Sequence, residues 1–472
     1  MHAHVNQAKI PILFVDRPGL APIKPRPLGI VSSLFVLLLL SSPIGIVSSK
    51  TILPPFPPTP PTASVVIGQV GFNSSSVIGS GQAQLASPGF VAVDNSGNLW
   101  VSDYRNGRVT EYLSPFSNGE SAALEIGATD FSAGSCATGN PLCEPEGIAF
   151  DPSGNLWVAD SQNASVQEFR VPFSTGEDSS VLLGGESLIS GPSQTDMNPL
   201  GLAFDSSGNL WVADSGFNRI LEFTPPFTNH EAAALVIGQA DFTTNWNNLN
   251  QSKLSDPEGL TFDHSGNLWV ADTLDNRVLE FKAPFSNRES ASIAIGQPDL
   301  SSTSGNTTQS TLDQPSSVVF DAHGDLWVSD SGNNRVAEFT PPFTTGMNAT
   351  VLIGQVSYFF SNIGSDQSSL FGPKGIAAGR ACNLWVADTE NARVLLFVDP
   401  SSAVTTTTTT STTHPSASQT TSSSQTQTSV TSGTSGTASS AGSPDYTFYA
   451  VVGVPAVAII VAAVALVLRK RH

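Results

Sequence analysis

Short apolar runs and polar turns alternate along residues 64–399 in a unit that recurs six times. Each unit contains a proline, an apolar run ending in Asp, a Ser-Gly-Asn-like turn, a Leu-Trp-Val run, a polar turn and a run close to Arg-Val-x-Glu-Phe. Runs of β-branched and aromatic residues bounded by Asp, Asn, Ser and Gly predict antiparallel strands joined by tight turns. The Leu-Trp-Val runs are apolar on both faces, which predicts strands that are covered on both sides. Their tryptophans lie 54 to 58 residues apart, at Trp100, Trp157, Trp211, Trp269, Trp327 and Trp385.

A further strand in each unit follows a Pro-Phe turn and ends in Ile-Gly-Gln or a close variant. Four strands repeated six times predict an all-β, six-bladed β-propeller made of four-stranded antiparallel blades. The Ile-Gly-Gln strand first occurs at residues 66–69, before any Leu-Trp-Val run, whereas the sixth unit ends at Phe397 without one. We therefore expect the N-terminal strand to complete the last blade, which leaves no unpaired edge in the ring.

The repeated unit resembles the NHL-repeat propellers, whose repeat reads Pro-x-Gly-apolar-Asp, then Gly-Asn-apolar-Val-Ala-Asp, then Asn-x-Arg-apolar-x-x-Phe. The resemblance covers residues 64–399 and implies the propeller fold. It does not select one activity, because this fold carries lyases, lactonases and pure binding modules. Two departures are visible: the units are longer than the usual repeat, and the second has Ser165 where the others have Arg.

An Asp follows each Val-Ala or Val-Ser pair, and in five units an Arg lies five residues later, across the polar turn. An ion pair that closes each hairpin suits this spacing, and a feature present once per blade is better explained by structure than by catalysis. We interpret these pairs as structural. They are Asp103 and Arg108, Asp214 and Arg219, Asp272 and Arg277, Asp330 and Arg335, and Asp388 and Arg393.

The residue after each proline varies, and the predicted topology puts it at the mouth of the central channel. Glu146 and Glu258 are candidate ligands for a hard cation such as Ca²⁺, and Lys374 is a further candidate at the mouth. The alternative is that the two carboxylates are solvated rim charges. The other positions of this set are Gly89, Leu200 and Ser316.

The resemblance suggests two further tests of activity. Amidating lyases of this superfamily bind zinc through channel histidines, but the propeller region contains only His230, His264 and His323, at positions that form no cluster in the predicted topology. Lactonase-like propellers hold calcium with a Glu, Asn and Asp set, in which Glu146 or Glu258 matches the Glu while no partner is identified. No cofactor is therefore assigned with certainty, and calcium is the one candidate.

Charge argues against nucleic acid as a partner. The chain has 20 Lys and Arg against 39 Asp and Glu, a formal net charge of −19. An acidic domain repels phosphate, so we predict no nucleic-acid binding.

The N-terminal region is predicted to direct export. Residues 1–49 contain a basic region followed by an apolar stretch and small residues, the pattern of a signal peptide cleaved near Ser49. An uncleaved membrane segment is the alternative, because residues 29–48 are long enough to span a bilayer. Residues 50–63 form a proline-rich linker to the propeller.

The C-terminal region is predicted to anchor the chain. Residues 400–445 are dominated by Ser and Thr, which predicts a disordered stalk. Residues 446–468 predict a transmembrane helix, and the basic residues 469–472 predict a cytoplasmic tail. The propeller is then extracellular, on a single-pass protein of the cell membrane.

Two local features agree with an oxidising, extracellular location. Cys136 and Cys143 lie in one loop, close enough for a local disulfide, whereas Cys382 lies near the turn serines of other units and is interpreted as an unpaired small residue. Sequons for N-glycosylation occur at Asn73, Asn163, Asn250, Asn306 and Asn348.

The leading functional hypothesis is a non-enzymatic, cell-surface binding module that recognises a protein or glycan through its long loops. Loops on a rigid scaffold are the usual place for binding residues. The alternative is an extracellular calcium-dependent hydrolase or lyase with its site at the channel mouth.

Overall fold

The computed structural model describes residues 60–74, 79–128, 130–131, 141–185, 191–245 and 253–401. Within them, 24 strands form six separate four-stranded antiparallel sheets. Consecutive sheets contact one another through their first strands, around a central channel. This architecture confirms the predicted six-bladed β-propeller.

Each blade begins with a strand that starts at a proline beside the channel. These first strands are β2 (Pro88–Val93), β6 (Pro145–Phe150), β10 (Pro199–Phe204), β14 (Pro257–Phe262), β18 (Pro315–Phe320) and β22 (Pro373–Ala378). The second strands are β3 (Leu99–Asp103), β7 (Leu156–Asp160), β11 (Leu210–Asp214), β15 (Leu268–Asp272), β19 (Leu326–Asp330) and β23 (Leu384–Asp388).

The outer half of each blade contains a third and a fourth strand. The third strands are β4 (Arg108–Tyr112), β8 (Ser165–Phe169), β12 (Arg219–Phe223), β16 (Arg277–Phe281), β20 (Arg335–Phe339) and β24 (Arg393–Phe397). The fourth strands are β5 (Leu124–Ile126), β9 (Val181–Gly184), β13 (Leu235–Ile237), β17 (Ile293–Ile295), β21 (Val351–Ile353) and, for the sixth blade, β1 (Val65–Ile67).

Single 3₁₀ turns interrupt the chain at two kinds of position. Five of them join a second strand to a third strand: Tyr104–Asn106, Ser215–Phe217, Thr273–Asp275, Ser331–Asn333 and Thr389–Asn391. The other, Arg380–Cys382, lies between β22 and β23 at the opposite end of the sixth blade.

The second strands are buried along their whole length because each blade is covered by its two neighbours. The Trp100 ring, for example, packs edge-on against Phe150 and Phe173 of the next blade, at centroid distances of 5.6 and 4.9 Å. Its indole N–H is directed at the Asp94 carboxylate, at 3.4 Å. The repeated tryptophan is therefore blade-to-blade packing, as its fixed strand position indicates.

The ring closes through its two ends. β1 pairs with β24 in antiparallel register, with Val65 opposite Leu396 and Ile67 opposite Val394. The sixth blade thus takes three strands from the C-terminal part of the propeller and one from the N-terminal part, as the displaced Ile-Gly-Gln strand predicts.

The antiparallel order assigns the connections to two faces. The loops from each fourth strand to the next proline lie at the same end of the blades as the turns after the second strands, and we call this the long-loop face. The Asp-to-Asn turns between first and second strands and the Pro-Phe turns lie on the opposite face.

The predicted membrane segments lie outside the described residues. These are the N-terminal region at 1–49 and the helix at 446–468, and most of the stalk at 400–445 and the linker at 50–63 lie outside as well. Across the ranges that the structure describes, no helix is long and apolar enough to cross a membrane.

Candidate functional site at the channel mouth

The first strands come together around a cavity on the long-loop face. Neighbouring backbones approach closely there: a Cβ on Gly147 would lie 2.2 Å from the carbonyl oxygen of Leu200, and one on Gly201 would lie 2.1 Å from that of Glu258. In the second, third, fourth and sixth blades this position is glycine because there is no room for a side chain, whereas the first and fifth blades have Phe90 and Ser317 there. The preceding residue points its side chain into the channel instead.

The cavity has a volume of about 450 Å³ and is lined by five of the six residues predicted at the mouth. Those five are Gly89, Glu146, Glu258, Ser316 and Lys374. The structure thus brings the three charged candidates of the sequence analysis into one site.

An ion pair crosses this cavity from the sixth blade to the second. The Lys374 ammonium donates to both Glu146 carboxylate oxygens, at 3.0 and 2.8 Å, and lies 5.8 Å from the centre of the Phe90 ring. Burial by itself lowers the pKa of Lys374, but the charges of Glu146 and Glu258 outweigh it and hold that pKa above its usual range. Lys374 therefore carries a fixed positive charge.

Glu258 differs from Glu146 in its partners. No ion pair within 4.0 Å joins it to Lys374 or to any other described cation. Burial raises the pKa of Glu258 to about 7, and the lowering effect of the Lys374 charge does not compensate. The charge of the mouth therefore changes near neutral pH, when this carboxyl loses its proton.

Tyr104 lines the same cavity and was not identified from the sequence. Burial raises its pKa to about 12, with a smaller contribution from a hydrogen bond to Glu144. Its position follows the second strand of the first blade, where the other blades have Ser or Thr. In those blades the hydroxyl can bridge to the next blade, as Thr273 does to the carbonyl oxygen of Pro315 at 2.8 Å. In the sequence, Tyr104 could have been found by its departure from the Ser or Thr that the other units have at this position.

The geometry does not offer Glu146 and Glu258 as an open pair of ligands for calcium. Glu146 already has a positive partner in Lys374, which a metal ion would have to displace. The described groups of three metal-ligating side chains with ligand atoms within 4.8 Å of one another do not include these two residues. Calcium at this position stays a prediction.

The repeated Asp and Arg residues form five buried ion pairs just outside the mouth. In each pair the guanidinium Nε donates to a carboxylate oxygen, and both side chains are at most 1% exposed. The distances are 3.0 Å for Asp103 and Arg108, 2.6 Å for Asp214 and Arg219, 2.7 Å for Asp272 and Arg277, 2.6 Å for Asp330 and Arg335, and 2.6 Å for Asp388 and Arg393.

These pairs also hold the long loops. The other oxygen of Asp330 accepts the backbone N–H of Asp313, while Arg335 donates to the carbonyls of Thr308, Thr311 and Tyr358 in two successive loops. In the second blade Ser165 replaces the Arg, and Gln167 makes some of the hydrogen bonds that the guanidinium makes in the other blades.

Gln167 Nε2 donates to the carbonyl oxygen of Pro141 at 2.9 Å and contacts Asp160 at 3.5 Å. Its side chain projects from the same strand two residues further on, on the same face, which is why a Gln there substitutes for the missing guanidinium. Nothing in the repeat pattern indicated this replacement.

The remaining predicted residues lie away from the channel. Cys143 is disulfide-bonded, and its predicted partner Cys136 lies outside the described residues. Four sequon asparagines, Asn73, Asn163, Asn306 and Asn348, are exposed, and Asn250 lies outside the described residues.

Cys382 lies one residue after the serine position of the turn. It directly precedes Asn383 and adopts φ 56°, the position that a glycine with positive φ occupies in the other five blades. Its Sγ lies 3.3 Å from His323 Nδ1 of the preceding blade. Spacing within one unit gave no sign of this contact, because the two residues belong to different units.

Comparison with known families agrees with the geometry of the blades. Residues 85–112, 142–169 and 312–339 match the NHL repeat family. Each matched segment ends with the third strand of a blade that the structure contains. The chain contains NHL repeats, and they form blades of its six-bladed β-propeller.

Among curated proteins, this chain is similar to Protein SUPPRESSOR OF QUENCHING 1, chloroplastic, from Arabidopsis thaliana. The identity is 27% over 153 residues, which are 30% of this chain and 14% of that protein. The chain therefore covers about one seventh of that relative's length.

Among solved structures, the NHL propeller is similar to a catalytically inactive virginiamycin B lyase from Staphylococcus aureus with quinupristin. The TM-score is 0.40 at 14% identity, covering 66% of this chain and 81% of the lyase chain. A protein of unknown function from Bacteroides thetaiotaomicron gives a TM-score of 0.48 at 14% identity, covering 71% of this chain and 74% of that one. No activity is transferred from either structure.

Proposed function

We propose that this NHL propeller is a binding module displayed at the cell surface, and that its long-loop face recognises a protein. The observation that carries the proposal is a group of exposed apolar side chains in the loop between the fifth and sixth blades. They are Val356, Phe359, Phe360 and Ile363, with exposed fractions of 62, 65, 48 and 63%.

A group of exposed aromatic and aliphatic side chains in one loop is more typical of an interaction surface than of a surface that contacts only solvent. The loop is anchored at its base, where Arg335 donates to the carbonyl of Tyr358 and Gln355 Nε2 donates to that of Asn362. A fixed loop loses little conformational entropy on binding, which favours affinity. Val70, 85% exposed, follows the fourth strand of the adjacent blade at the equivalent position.

The location outside the cell is part of the proposal. It is supported by the order of the predicted segments in the sequence: export signal at 1–49, propeller at 64–399, stalk at 400–445 and membrane helix at 446–468. A head raised on a stalk presents its loops to molecules outside the cell, which suits a recognition role.

The test is site-specific photo-crosslinking of the full chain in the membrane of its own cells. A photoreactive amino acid at Phe360 is expected to capture a discrete protein partner, and the Phe359→Ser variant is expected to reduce this capture severalfold. The matched control places the same amino acid at Val171, which is 50% exposed on the opposite face. Equal adducts from both positions, or adducts to glycan alone, would overturn recognition of a protein by this face.

A second candidate function is a hydrolase or lyase at the channel mouth, in which calcium participates. The observation that favours it is the polar cavity itself, where Glu258 has a pKa of about 7, suitable for proton transfer at neutral pH. Calorimetric titration with Ca²⁺ separates the two candidates. Tight binding that is lost in a Glu146→Gln, Glu258→Gln double variant supports the enzyme, whereas no heat from the wild type removes the calcium-dependent version.

A further inference from the structure

A second cluster of chemically reactive side chains lies on the face opposite the channel mouth, where the fifth and sixth blades meet. Asp321 and His323 lie in the turn between β18 and β19, and Cys382 lies in the corresponding turn of the next blade. One carboxylate oxygen, one imidazole nitrogen and the thiol sulfur lie within 4.8 Å of one another. The sulfur and His323 Nδ1 are 3.3 Å apart.

We propose that Asp321, His323 and Cys382 bind a zinc ion between the two blades. Sulfur, imidazole and carboxylate together are ligands that Zn²⁺ accepts, whereas Ca²⁺ and Mg²⁺ require oxygen alone. Two ligands of a tetrahedral zinc ion, at 2.3 Å for sulfur and 2.0–2.1 Å for nitrogen, lie roughly 3.5 Å from each other. The separation of Sγ and Nδ1 is close to this value without a metal present.

Asp321 is already held in position for such a role. Its Oδ1 accepts the backbone N–H groups of His323 and Asp325, at 2.8 and 3.1 Å, and its Oδ2 accepts the Trp327 indole N–H at 3.1 Å. Hydrogen bonds of this kind orient a metal ligand. Oδ1 uses both of its lone-pair directions in these bonds, whereas Oδ2 retains one for an ion.

The fifth blade also differs from the others in the charge beside this cluster. In the first four blades an Asn amide lies between the equivalent carboxylates and donates to both: Asn209 Nδ2, for example, donates to Asp205 at 2.9 Å and to Glu222 at 3.0 Å. In the fifth blade this Asn is replaced by Asp325. Three carboxylates, of Asp321, Asp325 and Glu338, then lie within 4.8 Å of one another without the amide donor. A divalent cation at the junction compensates this charge.

The same acidic surroundings disfavour the alternative role of Cys382 as a nucleophile paired with His323. Asp321, Asp325 and Asp399 place negative charge around this thiol. A reactive cysteine requires a lowered pKa and positive surroundings. A metal ion, in contrast, displaces the thiol proton and is itself attracted by the carboxylates.

Cobalt substitution tests the site on the full chain, purified in detergent without air or reductant after treatment with chelator. Titration with Co²⁺ is expected to give a thiolate-to-cobalt absorption band in the near ultraviolet at one equivalent, and Zn²⁺ is expected to displace the cobalt and abolish the band. The Cys382→Gly variant is expected to lose the band. It should fold well, because glycine occupies this left-handed position in the other blades.

Two further variants define the site. His264→Ala, which removes the histidine of the neighbouring turn in the fourth blade, is the matched control and is expected to keep the band, whereas His323→Ala is expected to lose it. Asp325→Asn, which restores the residue of the other blades, is expected to weaken zinc about 10-fold. Absence of the band in the wild type, or its persistence in Cys382→Gly, overturns the site and leaves a thiol–imidazole hydrogen bond. Unchanged affinity in Asp325→Asn overturns the role assigned to that carboxylate.

Discussion

Glu258 shows how one residue sets the electrostatics of the channel mouth. Lys374 and Glu146 cancel each other in an ion pair with N–O distances of 2.8 and 3.0 Å. The protonation of Glu258 therefore changes the net charge of the mouth, which Arg105 and Glu390 also line, by one unit. Any charged ligand of this cavity is expected to bind with a pH dependence centred near 7.

The stability of the protein should carry the same signature. The pKa of Glu258 is raised from 4.5 to about 7 on folding, so the folded state binds more protons than the unfolded state between these values. Stability from this group is therefore fully present below about pH 4.5, falls as pH rises to about 7 and stays low above it. In Glu258→Gln the side chain no longer ionises, so this loss disappears. The free energy of unfolding of the variant relative to wild type is expected to increase by about 2 kcal/mol from pH 5 to pH 8. Urea unfolding of both proteins at pH 5 and at pH 8 measures this change. The same stability difference between variant and wild type at the two pH values would contradict the raised pKa.

At the scale of the element, the first strand of each blade is shaped by close approach to its neighbour. A Cβ on Gly201 would collide with the Glu258 carbonyl oxygen at 2.1 Å, a backbone atom that cannot move without displacing the next strand. Blade spacing at the channel, and thereby the geometry of the mouth, depends on this glycine.

Gly201→Ala is expected to destabilise the propeller by about 3 kcal/mol, because two inner strands must separate. The control is Gly266→Ala in a turn on the opposite face, where the Cβ meets no atom within 4 Å and only the left-handed backbone, φ 80°, opposes the change. That control should lose about 1 kcal/mol. Thermal unfolding of both variants checks the order, and a larger loss for Gly266→Ala would refute the packing argument.

At the scale of the whole molecule, closure of the ring determines stability. β1 supplies the outer strand of the sixth blade, so a segment near residue 66 holds together parts of the propeller that are more than 320 residues apart in sequence, as the pairing of Val66 with Leu395 shows. An unclosed sixth blade would expose an unpaired strand edge.

Substitutions at two valines, four residues apart, measure the contribution of β1 to the stability of the propeller. Val66→Asp buries a charge in the closing strand at a fully buried position and is expected to cost at least about 3 kcal/mol. Val70→Asp, at a position 85% exposed just beyond the strand, is expected to change stability by less than about 0.5 kcal/mol. Chemical denaturation of the two variants compares them. Similar losses from both would argue that β1 is not part of the cooperative core.

The amino-acid sequence by itself determined the blades of this protein. Strands and their burial follow from a hydrophobic pattern with a period of two residues, and turns follow from local residue types. The whole set recurs once per repeat, so copies such as Asn267 to Phe281 are sufficient to specify a blade. Closure by β1 was also predictable, since the sequence shows one strand too many at one end and one too few at the other.

The charges at the mouth and the contacts between blades were decided by the tertiary structure. Lys374 meets Glu146 across 228 residues of chain, and Cys382 meets His323 across 59. The sequence placed Lys374, Glu146 and Glu258 around one ring, but which of them pair depends on side-chain directions within the closed channel. Contacts between residues that differ from their repeat have no periodic signal, because they form only when separate units are brought side by side.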